Sequence, residues 1–156
     1  MRRLLALLLA LAACAAGATE PWERFFSPSL GDLRAEAQEA RKAGKQALLL
    51  MYGFEECPSC ARMKREVLSR PEVQDFYVER FRVIEIDTLG AQEVTGFDGR
   101  AQPEKAFARA AGIRGTPTFV FHDFDGKVLA THVGGVFDAR EFMRLGERVL
   151  ERKAKP

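Results

Sequence analysis

The chain is poor in the residue types that most often carry chemistry. Its 156 residues include three cysteines, two histidines and one tryptophan. No apolar run reaches the roughly 20 residues that a membrane-crossing helix needs, which excludes a multi-span membrane protein. Neither sign of charge predominates, since 24 Lys and Arg are interspersed with 22 Asp and Glu. That balance argues against a nucleic-acid partner, which calls for a basic face. There is no Gly-rich dinucleotide fingerprint, no second Cys-x-x-Cys, no pair of histidines at metal-binding spacing, and no internal repeat or linker. What is present suits one globular domain: 47% apolar residues, 29% charged residues, 13 Gly and 7 Pro.

The three cysteines fall into two groups. Met1-Arg2-Arg3 precedes an apolar run over residues 4–18, a basic start followed by a short Leu-rich stretch and small residues. That is the pattern of a secretory signal peptide. Within it, Leu11-Ala12-Ala13-Cys14 resembles the lipobox of bacterial lipoproteins, whose cysteine is lipidated and becomes the mature N-terminus. The expectation is a lipoprotein-type signal over residues 1–13 with Cys14 as lipid anchor. The alternative is ordinary cleavage after Ala18, which discards Cys14. Either way the chain is expected to leave the cytoplasm. Removing residues 1–13 takes away two arginines and leaves 22 basic against 22 acidic side chains. Cys57 and Cys60 then remain for chemistry.

Residues 19–29 read as an N-terminal extension with two prolines and an apolar cluster, Trp22, Phe25 and Phe26, expected to pack on the domain over residues 30–153. Leu33, Ala37 and Ala40 recur at helical spacing over residues 30–43, and Gly44 is a plausible stop. Residues 46–52 form a short apolar run of the kind expected for a strand buried on both faces. Met63, Val67 and Leu68 mark a helix after Cys60, ending near Pro71, and a second short helix covers residues 71–79. Residues 81–87 alternate as a strand, residues 88–102 read as a long polar loop, and Pro103 starts a helix that ends at Gly112. Two strands, over residues 118–122 and 127–133, flank Asp125-Gly126, a strong hairpin signal. That turn sets His122 near Leu129 rather than opposite His132, so a shared metal is not expected. Gly134-Gly135 breaks the second strand, and residues 137–153 close the chain as an amphipathic helix.

The sharpest signal is Cys57-Pro58-Ser59-Cys60 at a strand-to-helix junction. Unpaired N–H groups at a helix start stabilise an anion, so they favour the Cys57 thiolate. Pro58 has no N–H to lose there and suits the first turn. Cys60 follows one turn later, within reach of a mixed disulfide formed by Cys57, as thiol–disulfide exchange requires. A zinc site needs two more ligands, and a structural disulfide closing so small a ring contributes little. A second signal is Gly112-Ile113-Arg114-Gly115-Thr116-Pro117-Thr118, in which a proline opens an interior strand. A cis Thr116–Pro117 bond would account for it and leave the Thr116 backbone open to an extended peptide.

Taken together, these segments resemble the thioredoxin superfamily over most of residues 30–153. The likeness lies in the apolar strand before Cys57-Pro58-Ser59-Cys60, in G-I-R-G-T-P-T, and in F-V-F-H-D-F-D-G-K-V followed by Gly134-Gly135. It implies an α/β thioredoxin fold, a central mixed β-sheet flanked by α-helices. It also implies Cys57 as nucleophile, Cys60 as resolving thiol, a redox-active Cys57–Cys60 disulfide in a loop with Pro58 and Ser59, and Thr116 with cis Pro117 as the client-binding face. A narrower likeness is to SoxW-type periplasmic thioredoxins, through E-V-T-G-F-D-G over residues 93–99, P-E-K-A, T-P-T and the aromatic N-terminal stretch. The chain departs from ordinary thioredoxins where they carry a buried aspartate six residues before the first cysteine; here that position is Met51. Glu55 and Glu56 adjoin Cys57 and could partly substitute for that aspartate through water, but the favoured expectation is that they are solvated loop acids.

The function expected from these features is that of an exported thiol–disulfide oxidoreductase that reduces periplasmic clients, with no cofactor and no metal of its own. For this family, electrons come from a membrane thiol transporter of the DsbD or CcdA type. The same residues could run as a disulfide oxidase or isomerase. A copper or zinc chaperone using two thiolates is an alternative of another class, and a non-catalytic binding module of the same fold is a further one, against which the presence of both cysteines weighs. The loop at residues 88–102 is longer than a typical connection, which favours a part in recognition.

Overall fold

The computed structural model describes residues 20–154; the expected signal segment and Cys14 lie outside the described residues. Helix α1, Leu33–Lys42, starts where the Asp32 carboxylate accepts the Arg34 and Ala35 N–H groups at 3.0 and 3.1 Å. Its Leu33, Ala37 and Ala40 face inward, as their spacing predicts. Strand β1, Ala47–Gly53, is buried at every position. Helix α2, Pro58–Met63, follows it and continues through a π-turn at Lys64–Leu68. Helix α3, Pro71–Arg80, leads into β2, Phe81–Asp87. Strands β3, Glu93–Thr95, and β4, Ala101–Pro103, precede α4, Glu104–Ala110. Strands β5, Thr118–His122, and β6, Val128–Val133, precede the closing helix α5, Ala139–Ala154.

The main sheet has the order β2-β1-β5-β6; β1 runs parallel to β2 and antiparallel to β5, and β5 runs antiparallel to β6. It is therefore mixed, with helices on both faces: the thioredoxin fold that the resemblance implied. Alternate residues of β1 feed two cores. Leu49 and Met51 join Phe119, Phe121, Phe142 and both cysteines on one face. Leu48, Leu50 and Tyr52 join Leu33, Ile84, Ile86 and Val120 on the other.

Residues 20–29 are built into the first core. Phe25 is fully buried, 5.4 Å from the Tyr77 ring and 6.1 Å from Phe142. The Gln74 side-chain amide donates to the Pro21 and Leu68 carbonyls at 2.6 and 2.8 Å, and Ser27 N–H donates to Val83 O at 2.7 Å. Arg82, whose guanidinium pairs with the buried Glu36 carboxylate at 2.6 Å, also donates to Pro28 O.

The segment over residues 88–102 differs from the expected loop. It folds as the β3–β4 ribbon, in which Glu93 pairs with Pro103 and Thr95 with Ala101. The turn is held by Gly96 N–H to Arg100 O at 2.9 Å and by Gly99, whose φ of +81° suits a residue without Cβ. Strands of three residues are too short for alternation to register in a sequence. A register shift between Phe121 and His122 also places His122 opposite Val128, one residue from the expected Leu129. Helix α4 begins at Glu104 rather than Pro103, which ends β4.

Truncating Phe25 to alanine should cost about 3–5 kcal/mol in urea unfolding, the usual range for a buried phenylalanine. A loss under about 0.5 kcal/mol, typical of exposed positions, would show that the N-terminal segment is a dispensable tail.

Candidate active site

At the C-terminal end of β1 the chain turns into α2, and Cys57 is the residue that caps this helix. Its Sγ accepts the Cys60 N–H at 3.2 Å, and Pro58 occupies the first helical turn. Cys57 and Cys60 are joined as a disulfide with their Cα atoms 5.2 Å apart. Each residue is only 2% exposed, while Pro58 is exposed and Ser59 half-buried.

The Thr116–Pro117 peptide bond is cis and lies against the disulfide, with the Thr116 hydroxyl donating to Cys57 Sγ at 3.3 Å. This meeting follows from strand pairing, because Tyr52 in β1 pairs with Thr118 in β5. Among the described residues the Thr116 backbone N–H and C=O enter no backbone hydrogen bond, whereas Pro117 O already accepts Gly134 N–H at 2.8 Å. An extended chain laid beside Thr116 would find both groups free.

Beneath the disulfide lies an arrangement that sequence reasoning missed. Met51, at the position where an acid was expected from the family, pairs in register with Glu85 on β2. A Cβ placed on Gly53 would sit 3.3 Å from Cys60 Sγ and 3.6 Å from Glu85 Oε1. The missing side chain thus leaves a gap across which sulfur and carboxylate face each other. Glu85 is held by Lys64 Nζ at 2.8 Å, and the Lys64 ammonium also lies 4.2 Å from the Trp22 ring centroid and 5.5 Å from that of Phe26. The N-terminal aromatics thereby help to place the cation that orients Glu85. Trp22 also lines a cleft of about 400 Å³ that reaches Cys60.

A neighbouring cleft of about 500 Å³ connects Glu85 with Asp87 and Glu104. Burial pushes the Glu104 carboxyl above its ordinary range, and the Asp87 N–H that it accepts offsets this only in part. Glu55 and Glu56, the acids closest to Cys57 in sequence, are both exposed. His122 and His132 lie on opposite sheet faces, the first beside Val120 and the second paired with Phe119. No cluster of metal-binding side chains occurs among the described residues. The signal that would have found Glu85 is the alternation of F-R-V-I-E-I-D, in which Phe81 and Val83 on the face toward the cysteines give way to Glu85 and Asp87. Only the pairing of Met51 with Glu85 gives that acid a meaning.

A family model described as a thioredoxin-like domain matches residues 33–150. No curated protein matches the chain. Among solved structures, a thioredoxin-fold protein from Helicobacter pylori is similar at 19% identity and a TM-score of 0.67, covering 90% of this chain and 84% of its own. A thioredoxin from Thermus thermophilus is similar at 24% identity and a TM-score of 0.60, over 77% and 85%. The C-terminal domain of Neisseria meningitidis DsbD, in its reduced form, is similar at 22% identity and a TM-score of 0.54, over 73% and 90%.

Replacing Thr116 with valine keeps the shape and removes the hydroxyl that donates to Cys57. Alkylation of the reduced protein by iodoacetamide at pH 6 should slow by about tenfold or more, because a hydrogen bond to a charged group is worth about 1.5–3 kcal/mol. An unchanged rate would mean that the hydroxyl does not stabilise the thiolate.

Proposed function

Because the chain belongs to the thioredoxin-like domain family, we propose that it is a thiol–disulfide oxidoreductase that reduces disulfides in client proteins. The observation that carries this reading is the Cys57–Cys60 disulfide capping α2 against Thr116–Pro117, with Glu85 beneath Cys60.

In the reduced protein, the α2 N-terminus and the Thr116 hydroxyl stabilise the Cys57 thiolate. A client segment lies alongside Thr116, and the thiolate attacks one sulfur of the client disulfide. The Cys57–client bond forms as the client S–S bond breaks, and the first client sulfur leaves as a thiolate. Cys60 then loses its proton toward Glu85 and attacks Cys57 Sγ. The Cys57–Cys60 bond forms, the mixed disulfide breaks, and the second client thiolate departs and takes up a proton. Two electrons pass from the dithiol to the client. The protein's disulfide is returned to a dithiol by a thiol donor of lower potential, which on the family likeness is a membrane transporter of the DsbD or CcdA type.

The setting of this chemistry is export to the periplasm. Support for it is the basic and apolar pattern of residues 1–18, with Cys14 as the lipid attachment site if cleavage leaves it at the N-terminus. Among the described residues no helix is long and apolar enough to cross a membrane. Residues 30–153 are the catalytic domain, and residues 19–29 are its N-terminal extension, of which residues 20–29 fold onto it. The SoxW-type likeness favours clients in sulfur oxidation or cytochrome maturation. The β3–β4 ribbon, where that likeness is concentrated, is the place to seek client selectivity.

In the protein as expressed, Cys60→Ser should accumulate mixed disulfides through Cys57, identifiable by mass spectrometry, and Cys57→Ser should abolish insulin disulfide reduction. Full activity in Cys57→Ser would overturn the mechanism. Replacing Glu85 with glutamine should leave the first attack intact but slow release of the mixed disulfide at least about tenfold near neutral pH, a modest share of what general base catalysis supplies. Single-turnover kinetics that show no change in that step would remove Glu85 from the proton path.

A further inference from the structure

The sheet face away from the disulfide is incompletely covered. Helices α1 and α4 pack over β1 and β2, but α4 is seven residues long and stops short of β5 and β6. The shortfall leaves a cavity of about 660 Å³ between the β3–β4 turn, α4 and the β5–β6 hairpin. The cavity opens to solvent, and small-molecule sites commonly span about 300–1,000 Å³. Its walls include Tyr52, Phe97, Phe107, Ile113, Val120 and His122. The Tyr52 and Phe107 rings are stacked at 16°, so the lining is largely aromatic and aliphatic.

Among the polar side chains of the lining, His122 is the one with a buried atom that lacks a hydrogen-bond partner. It is 8% exposed, and its Nδ1 lies 3.0 Å from the Gly126 carbonyl oxygen. A carbonyl can only accept, so Nδ1 carries the proton and Nε2 is left as a bare acceptor. Nε2 is buried and has no hydrogen-bond partner among the described residues. Buried acceptors in native proteins are nearly always satisfied, and this one belongs to a side chain that lines a large cavity. Burial also keeps the ring uncharged, since it lowers the His122 pKa, with Gly126 and Asp123 opposing. The ring is fixed in place by Phe97, whose centroid is 5.0 Å away, and Phe97 in turn presses on Gly126, where a Cβ would come within 2.5 Å of it. The charged side chains of the lining, Asp98, Arg100 and Arg114, are exposed, and the first two pair with each other at 2.6 Å.

We propose that this cavity is a binding site for a neutral aromatic molecule carrying a hydroxyl or ring N–H, its ring against Phe97, Phe107 and Tyr52 and its donor satisfying His122 Nε2. The ligand would be recognised independently of the dithiol, because β5 directs Phe119 and Phe121 toward the cysteines and Val120 and His122 into the cavity. The wall nevertheless includes Ile113, Arg114, Gly115 and Thr118, which flank Thr116 and Pro117.

The test uses β-naphthol and β-methylnaphthalene, which share a shape and differ by a hydroxyl against a methyl. β-Naphthol titrated into the oxidised protein should shift the backbone amide resonances of Ile113, Val120, His122 and Gly126. It should bind about tenfold tighter than β-methylnaphthalene, the ratio that satisfying one buried acceptor supplies. Replacing His122 with leucine should erase that ratio. Thr131 is exposed at the cavity mouth, and Thr131→Trp should block both compounds while leaving insulin reduction unchanged. Equal affinities for the two compounds, shifts confined to other regions, or undiminished binding by Thr131→Trp would each overturn the assignment. Should His122→Leu fail to fold, the matched compounds and Thr131→Trp decide the question.

Discussion

Strand β1 is buried along its whole length, so both of its rows of backbone N–H and C=O groups must be paired within the protein. That requirement fixes β2 on one side and β5 on the other, and the registers bring the site together. Tyr52 opposite Thr118 sets Thr116 and Pro117 beside the disulfide, and Met51 opposite Glu85 sets a carboxylate beneath it. The end of β1 delivers Cys57 to the start of α2. Three segments far apart in the chain thus meet because one strand cannot tolerate an unpaired edge.

The chemistry around the two sulfurs is asymmetric. Cys57 receives two donors, the Cys60 N–H and the Thr116 hydroxyl, and sits where the α2 backbone favours negative charge. Among the described residues Cys60 Sγ receives no such donor, and it instead faces the Glu85 carboxylate across the space left by Gly53. An environment that favours the thiolate at one sulfur and offers a proton acceptor to the other suits a nucleophile and a resolving thiol. The half-buried Lys64–Glu85 pair is kept in register by Trp22 and Phe26, so the N-terminal segment serves both core packing and the site.

Much of this was legible in the residues. The apolar run of β1, the helical spacing of Leu33, Ala37 and Ala40, and the Asp125-Gly126 turn each carry a local physical signal strong enough to place an element. Cys57-Pro58-Ser59-Cys60 carries its own, because two thiols one helical turn apart have few other uses. The β3–β4 ribbon did not, since three-residue strands are stabilised by their turn glycines and by contact with the domain rather than by pattern. Lys64 carries no local signal and Glu85 only a break in the apolar alternation of β2, while position 51, where the family resemblance implies an acid, holds methionine. His122 read as an isolated histidine, and only the unfilled volume beside it gives its bare nitrogen significance.

Local chemistry in the sequence therefore determined the fold class, the order of the main elements and the identity of the cysteine pair. Each of these depends on residues within a few positions of one another: an apolar run, a cap, a turn, two thiols three apart. Which acid lies under Cys60, what the N-terminal aromatics hold, and where a cleft opens beside the sheet were decided by tertiary structure. Those features depend on register between strands and on the length of α4 relative to the sheet it covers. Neither quantity is written in any single stretch of the chain.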